Sequence, residues 1–273
     1  MFRIERRETK ATAALSLGEL IFHATVRHIR KGYGSGLMAL AMSVLQTVIF
    51  IAAFYVLFSV LGLRGSAIRG DFTLYLMTGV FLFLTHTKAM SAVVAAEGPA
   101  SPMMKHAPMN TAIAIAAAAL GSLYIQTLSM VLVLFGAHVL MAPLTFDDVA
   151  GAGMMFLLSW FTGVGIGLCL LAVKPWFPNA VKIAASVYAR LNMVASGKMF
   201  TANALPGYLL PWFTWNPLFH AIDQSRGFTF VNYNPHFTSW TYPLTVGVAL
   251  LMLGLMGEFY TRRRASLSWF AGR

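Results

Sequence analysis

The residues able to do chemistry are few, and their spacing excludes most enzymes. Gly197-Lys198 is followed by Met199 where a phosphate-cradling loop would end in Lys-Ser or Lys-Thr, so the chain does not hydrolyse nucleotide that way. A His-Glu-x-x-His zinc helix and a Gly-x-Ser-x-Gly nucleophile elbow are both missing, and the 7 histidines are scattered. Asp147 and Asp148 are adjacent carboxylates at the edge of an apolar run, where a solvated loop or a helix N-terminus accounts for them. The single cysteine, Cys169, lies inside an apolar run, which excludes a disulfide within the chain and a cysteine-based zinc site. No catalytic residue, cofactor ligand or metal ligand is assigned. The chain reads as a non-enzyme.

What remains is polarity in apolar surroundings. Residues 179–200 carry Lys182, Ser186, Tyr188, Arg190, Asn192, Ser196 and Lys198 within an otherwise apolar pattern. Charge at membrane depth is costly and normally faces a water-filled cavity or a partner. Two readings stand: Tyr188, Arg190, Asn192 and Lys198 line a polar path, or Lys182 and Lys198 snorkel to the interfaces while Arg190 pairs with a neighbour. Phe50, Phe54 and Phe58 recur every four residues, a stripe that either stacks on sugar rings or packs against lipid and helices.

The elements that must position these residues follow from composition. Of 273 residues, 58% are hydrophobic and 11% charged, against about a quarter charged in a soluble domain. Such a chain has too little polar surface to coat a globule and belongs in a bilayer. Gly32 to Leu63 carries no charge and is most apolar from Leu45 to Val60, giving span one. Span two starts at Phe72 and continues past Lys88 as one helix; Asn110 to Phe146 and Val149 to Val173 are spans three and four. Asn179 to Phe200 is span five, and the last begins near Trp240 within the uncharged run Gly227 to Gly257. Each is near the ~20 residues a helix needs to cross ~30 Å of hydrocarbon, whereas a barrel would show short alternating segments.

The expected fold is therefore all-α: six transmembrane helices, an N-terminal amphipathic interface helix, and short re-entrant or interfacial helices before the last span. Leu15 to Lys31 sets Leu17, Leu20, Ile21 and Ala24 on one helical face and Glu19, His23, Arg27 and Arg30 on the other, so it lies in the membrane interface or forms a cytoplasmic contact. The first ten residues mix Glu5 and Glu8 with arginines, and no cleaved signal peptide is expected. Residues 1–31 form the cytoplasmic arm and interface helix, 32–260 the transmembrane domain and 261–273 a basic tail. All of the 20 Lys and Arg except Arg64, Arg69, Lys198 and Arg226 then fall on one side, which places both termini in the cytoplasm. The net charge of +11 is thus a topology signal, and no nucleic-acid partner is expected.

Several separated stretches resemble the permease subunit of ABC-2 type exporters of capsular or O-antigen polysaccharide. The sharpest is Trp215-Asn216-Pro217-Leu218-Phe219-His220-Ala221-Ile222-Asp223-Gln224-Ser225-Arg226, at the family's distance from the C-terminus. The segment Glu97 to Asn110, Phe177-Pro178 before span five, the amphipathic entry helix and the basic tail match as well. The resemblance implies a homodimer in the bacterial inner membrane that moves lipid-linked polysaccharide, capsule type first and O-antigen second, with periplasmic and outer-membrane export components beyond it. Two cytoplasmic ATPase copies would bind ATP and Mg, and this chain would hold no cofactor. Ser101, Pro102, Met103, Met104, Lys105 and His106 would form the coupling segment on the ATPase. Tyr208, Trp212, Trp215, Asn216 and Pro217 would form an outer gate or re-entrant region, for which an aromatic belt at the interface is the alternative. Export of a drug or lipid by the same superfamily, and a membrane-bound transferase acting on lipid-linked sugars, are the other functions the sequence leaves open.

The topology is directly testable. A reporter fused after Arg273 is expected to be active only in its cytoplasmic form, and one inserted near Asp147 only in its exported form; the reverse pattern would exclude this arrangement.

Overall fold

The computed structural model describes residues 10–62, 68, 70–97, 111–141 and 143–264, and among them no strand occurs. The helices are α1 (Lys10–Tyr33), α2 (Gly36–Val60), α3 (Phe72–Ala95), α4 (Thr111–Leu140), α5 (Val149–Val173), α6 (Pro178–Ala195), α7 (Pro211–Thr214), α8 (Pro217–Thr229) and α9 (Thr241–Arg264), with a 3₁₀ turn at Ala202–Ala204. Their starts follow local chemistry. Ser35, Asp71, Asp148 and Asn216 cap α2, α3, α5 and α8 by accepting from backbone N–H groups two or three residues on. Pro178 and Pro217 open α6 and α8, where a missing N–H costs nothing.

Five helices, α2, α3, α4, α5 and α9, are long and apolar enough to cross a membrane. All but α3 turn large apolar side chains outward, among them Leu45 and Ile49 of α2, Phe135 of α4, Met154 of α5 and Met252 and Leu253 of α9, as hydrocarbon-facing helices do. The chain is a multi-pass membrane protein. The expected fifth span, Asn179 to Phe200, is instead an 18-residue helix that stops at Ala195 and then turns. Short helices before the last span are present as α7 and α8.

The centre of the bundle is α3, buried almost continuously from Leu74 to Thr87 between α2, α4, α5 and α8. Glycines set how close its neighbours come. A Cβ on Gly163 of α5 would sit 2.4 Å from the carbonyl oxygen of His86, and one on Gly167 2.9 Å from that of Met90. The other side of α5 receives α9, where Gly247 meets Phe161 and Gly254 meets Leu168. Without hydrophobic drive between helices in lipid, such small-residue contacts supply the dispersion that holds a bundle together. Gly121 on α4 accepts α1 in the same way, against Thr25, His28 and Ile29, leaving Leu20 and Phe22 of α1 exposed.

The two ends of the bundle differ in charge. One carries Asp71, Asp147 and Asp148; the other carries Lys174 and, on the last turn of α9, Arg262, Arg263 and Arg264. These are called below the Asp71 end and the Lys174 end.

Gly163→Ala is expected to lower the stability of the detergent-solubilised protein by about 1–3 kcal/mol, because a backbone oxygen must move. Gly153→Ala on the same helix, where a Cβ meets nothing within 4 Å, is expected to be neutral or stabilising by up to about 1 kcal/mol in the same melting assay.

Candidate functional site

The turn that ends α6 is the most polar place inside the bundle. Gly197 has φ +70, a left-handed conformation that glycine adopts without strain and that commonly stops a helix. Its N–H bonds the Val194 carbonyl, and the chain reverses through Lys198 to Phe200. The buried Arg226 of α8 clamps this reversal: Nη1 donates to the carbonyls of Gly197 (2.9 Å) and Phe200 (2.6 Å), and Nη2 donates to that of Lys198 (2.6 Å). The guanidinium also lies 4.2 Å over the Tyr75 ring. From the other side Gly79 of α3 leaves the Lys198 backbone within 2.9 Å of where its Cβ would be. The turn has no room to shift.

Lys198 is 2% exposed and is not the snorkelling lysine of one sequence reading. Its ammonium sits over the rings of Phe83 (3.7 Å), Phe54 (4.7 Å) and Phe50 (5.3 Å), and among the described residues no hydrogen-bond partner or ion pair reaches it. A desolvated cation–π contact contributes about 2 kcal/mol, while removing an ammonium from water costs several kcal/mol. The cage reduces that cost without cancelling it. The structure thus joins three residues read separately from sequence, Phe50, Phe54 and Lys198. Phe58 lies further along and packs on Phe72 at 5.6 Å.

The helix leading to this turn has three faces at 100° per residue. Val181, Ala185, Tyr188 and Asn192 turn toward the bundle; Asn179, Lys182, Ser186 and Arg190 are exposed on a polar stripe; Ile183, Val187, Leu191 and Val194 are exposed between them. Tyr188 donates to Nε2 of His86 at 2.8 Å, and His86 Nδ1 faces the Ser159 carbonyl at 3.0 Å, so the ring hydrogen belongs on Nδ1. Asn192 donates to the Tyr188 carbonyl and accepts from Asn216 at 2.8 Å. Tyr188 and Asn192 therefore tie helices together, whereas Arg190 faces outward with no ion pair among the described residues. Arg190 and Lys198 do not share one helical groove, because the helix ends between them.

Helix α8 is buried although half polar, and several of its polar side chains bond to the segments around it. Asp223 accepts from the Ala202 N–H (3.0 Å), the Tyr233 hydroxyl (2.6 Å) and the Thr238 hydroxyl (2.8 Å). Burial first, then the Asp223 charge, pushes the Tyr233 pKa up. His220 donates from Nε2 to the Thr214 carbonyl and accepts at Nδ1 from the Ser239 N–H, a pattern that places the ring hydrogen on Nε2. Asn216 and Pro217 start this helix and are buried, while Tyr208, Trp212 and Trp215 are exposed around its entry, Trp212 at 73%. Tyr242 of α9 donates to the Trp215 carbonyl and fixes that corner.

Ser101, Pro102, Met103, Met104, Lys105 and His106, expected from sequence to form a coupling segment, lie outside the described residues. Sequence reasoning missed Phe83 and His86 as members of the polar interior; an aromatic followed three residues later by a lone histidine inside an apolar span was the available signal. It also left Asp223 and Arg226 without roles, although both stand in the Trp215–Arg226 stretch.

Arg226→Lys keeps the charge but cannot fork to three carbonyls. It is expected to cost about 2–3 kcal/mol of stability, read as a lowered melting temperature in detergent, while Trp212→Ala, at an exposed position, stays within about 0.5 kcal/mol of the parent.

No family model matches the chain, and no curated protein matches it.

Proposed function

We propose that the chain is the membrane-spanning subunit of an ATP-driven exporter that moves lipid-linked polysaccharide across the bacterial inner membrane. One observation carries this reading: α6 runs beside the middle of α3, as the Tyr188–His86 bond fixes, and turns Arg190 away from the bundle on a stripe with Asn179, Lys182 and Ser186. An arginine at that depth cannot be left in hydrocarbon and needs water or a partner. A second copy presenting the same stripe encloses a wet, basic path between two protomers, which fits a hydroxyl-rich and often acidic polymer. The apolar residues of α6 then face lipid at the rim.

In this reading α6, the Lys198 turn and the short helices α7 and α8 together make the sixth crossing, with α7 and α8 re-entrant from the outer side. The Lys174 end is cytoplasmic, in line with its basic residues. Residues Ser101 to His106 rest on a separate ATPase that binds ATP and Mg, and a basic, apolar segment such as Met103-Met104-Lys105-His106 suits a protein groove better than water. No nucleotide-binding loop occurs in the sequence, so the energy source is supplied from outside the chain.

Arg190→Gln is expected to abolish surface polysaccharide while leaving membrane abundance of the permease unchanged, and Arg190→Lys to restore part of it. Replacing Met103 and Met104 by Asp is expected to remove the ATPase from the purified complex. Normal export by the Gln variant would remove Arg190 from the path, and unchanged surface polysaccharide in a strain lacking the chain, together with unchanged co-purification of the double Asp variant, would overturn the reading.

A further inference from the structure

Among the described residues four buried side-chain polar atoms have no hydrogen-bond partner: Thr85 Oγ1, Ser196 Oγ, Lys198 Nζ and Arg226 Nε. Three of the four belong to the turn after α6 or to the guanidinium that clamps it. Unsatisfied groups gathered in one place call for a ligand or a stored state. The backbone of the turn is held by Arg226 and by the close approach at Gly79, whereas no hydrogen bond holds the ammonium of Lys198. Its ammonium is held only by π faces, two of them on α2. That helix meets α3 through aromatic rings, Phe50 on Phe83 at 6.2 Å, while Gln126 donates to Ser43 at 3.1 Å to tie α2 to α4. Parting α2 from α3 opens the cage without disturbing the turn.

We propose that Lys198 is an anion-acceptor site: the ammonium is parked in the Phe50–Phe54–Phe83 cage and leaves it for a carboxylate or phosphate oxygen of the transported molecule. Cage and anion compete for one cation. An ammonium with unsatisfied donors and no acidic partner among the described residues gains more from a charged oxygen than from ring faces. The nature of the anion rests on the export reading; the competition does not.

That competition gives effects of opposite sign. The full-length protein is labelled with ε-¹³C-lysine in phosphatidylcholine nanodiscs, where ring currents shift the caged lysine upfield and Lys198→Met identifies its signal. Oligogalacturonate is added as the carboxylate probe, and nanodiscs containing phosphatidylglycerol serve as the phosphate probe. Loss of the upfield signal with the sugar alone assigns the acceptor to a sugar carboxylate, and with the lipid alone to a headgroup phosphate; either supports the site. Phe83→Leu, which keeps apolar volume but removes a π face, is expected to tighten binding roughly tenfold, whereas Lys198→Met weakens it at least tenfold. Phe54→Leu repeats the test at a second wall should Phe83→Leu fail to fold. Equal weakening by the cage and lysine variants, no change in either, or no response of the parent protein to both probes would overturn the proposal. Unchanged surface polysaccharide in a strain lacking the chain would remove the export reading and leave these opposite effects standing, so the two failures can be told apart.

Discussion

A single guanidinium fixes the interior of this bundle. Arg226 satisfies three carbonyls of a turn that has left its helix, and within a membrane protein those carbonyls have no water to turn to. The arrangement solves two problems together. Irregular backbone at depth is tolerated only when protein satisfies it, and a buried arginine is tolerated only when its donors are used. Each makes the other affordable. Everything around the pair follows: Gly79 must lack a side chain for the turn to approach α3, Gly197 must take a left-handed φ for α6 to stop there, and α8 must be buried to carry the arginine to its place.

Burying α8 has its own requirements, because a 13-residue helix with Asn, His, Asp, Gln, Ser and Arg on it does not partition into an apolar core by itself. The connecting loops provide the partners. Asp223 gathers one backbone N–H and two hydroxyls from the segments on either side, and His220 bridges the turn before α8 to the start of α9. With three donors the Asp223 oxygens are satisfied without a salt bridge to Arg226. Acid and base three residues apart on one helix each find neutral dipoles instead of each other.

The five long helices were legible in sequence because long apolar runs carry the span signal; that Ser35, Asp71 and Asp148 cap three of them is seen only in the structure. Asn179 to Phe200 was harder. Counted by hydropathy it resembles a span, and only Ser196-Gly197 hints that the helix ends early; a glycine in an apolar stretch serves close packing as readily as a left-handed stop, and Gly163 shows the first use where Gly197 shows the second. The side-chain cluster was only half legible. Phe50, Phe54 and Lys198 each stood out by type, yet nothing local indicates that residues about 150 apart meet, since α3 is the element between them and the close approach at Gly79 is a tertiary fact. Arg190 and Lys198 illustrate the limit: eight residues apart, they read as lining one polar path, and one turn of backbone sends the first outward and the second into the core.

The choice of phenylalanine around Lys198 has a physical consequence beyond packing. An Asp or Glu in that place would hold the ammonium in a pair that, at low dielectric, releases its cation only at great cost. A ring of phenylalanines stabilises the same charge weakly and without hydrogen-bond direction, so the lysine is kept in place yet remains ready to exchange partners. Rigid backbone and loosely held head group are then complementary: Arg226 removes freedom from the turn so that the only motion left is the motion of the ammonium. In a bundle whose helices touch through glycine and aromatic faces, a parting of α2 from α3 costs dispersion and weak π contacts instead of buried ion pairs, which keeps such an opening within reach of the few kcal/mol that ligand binding commonly supplies.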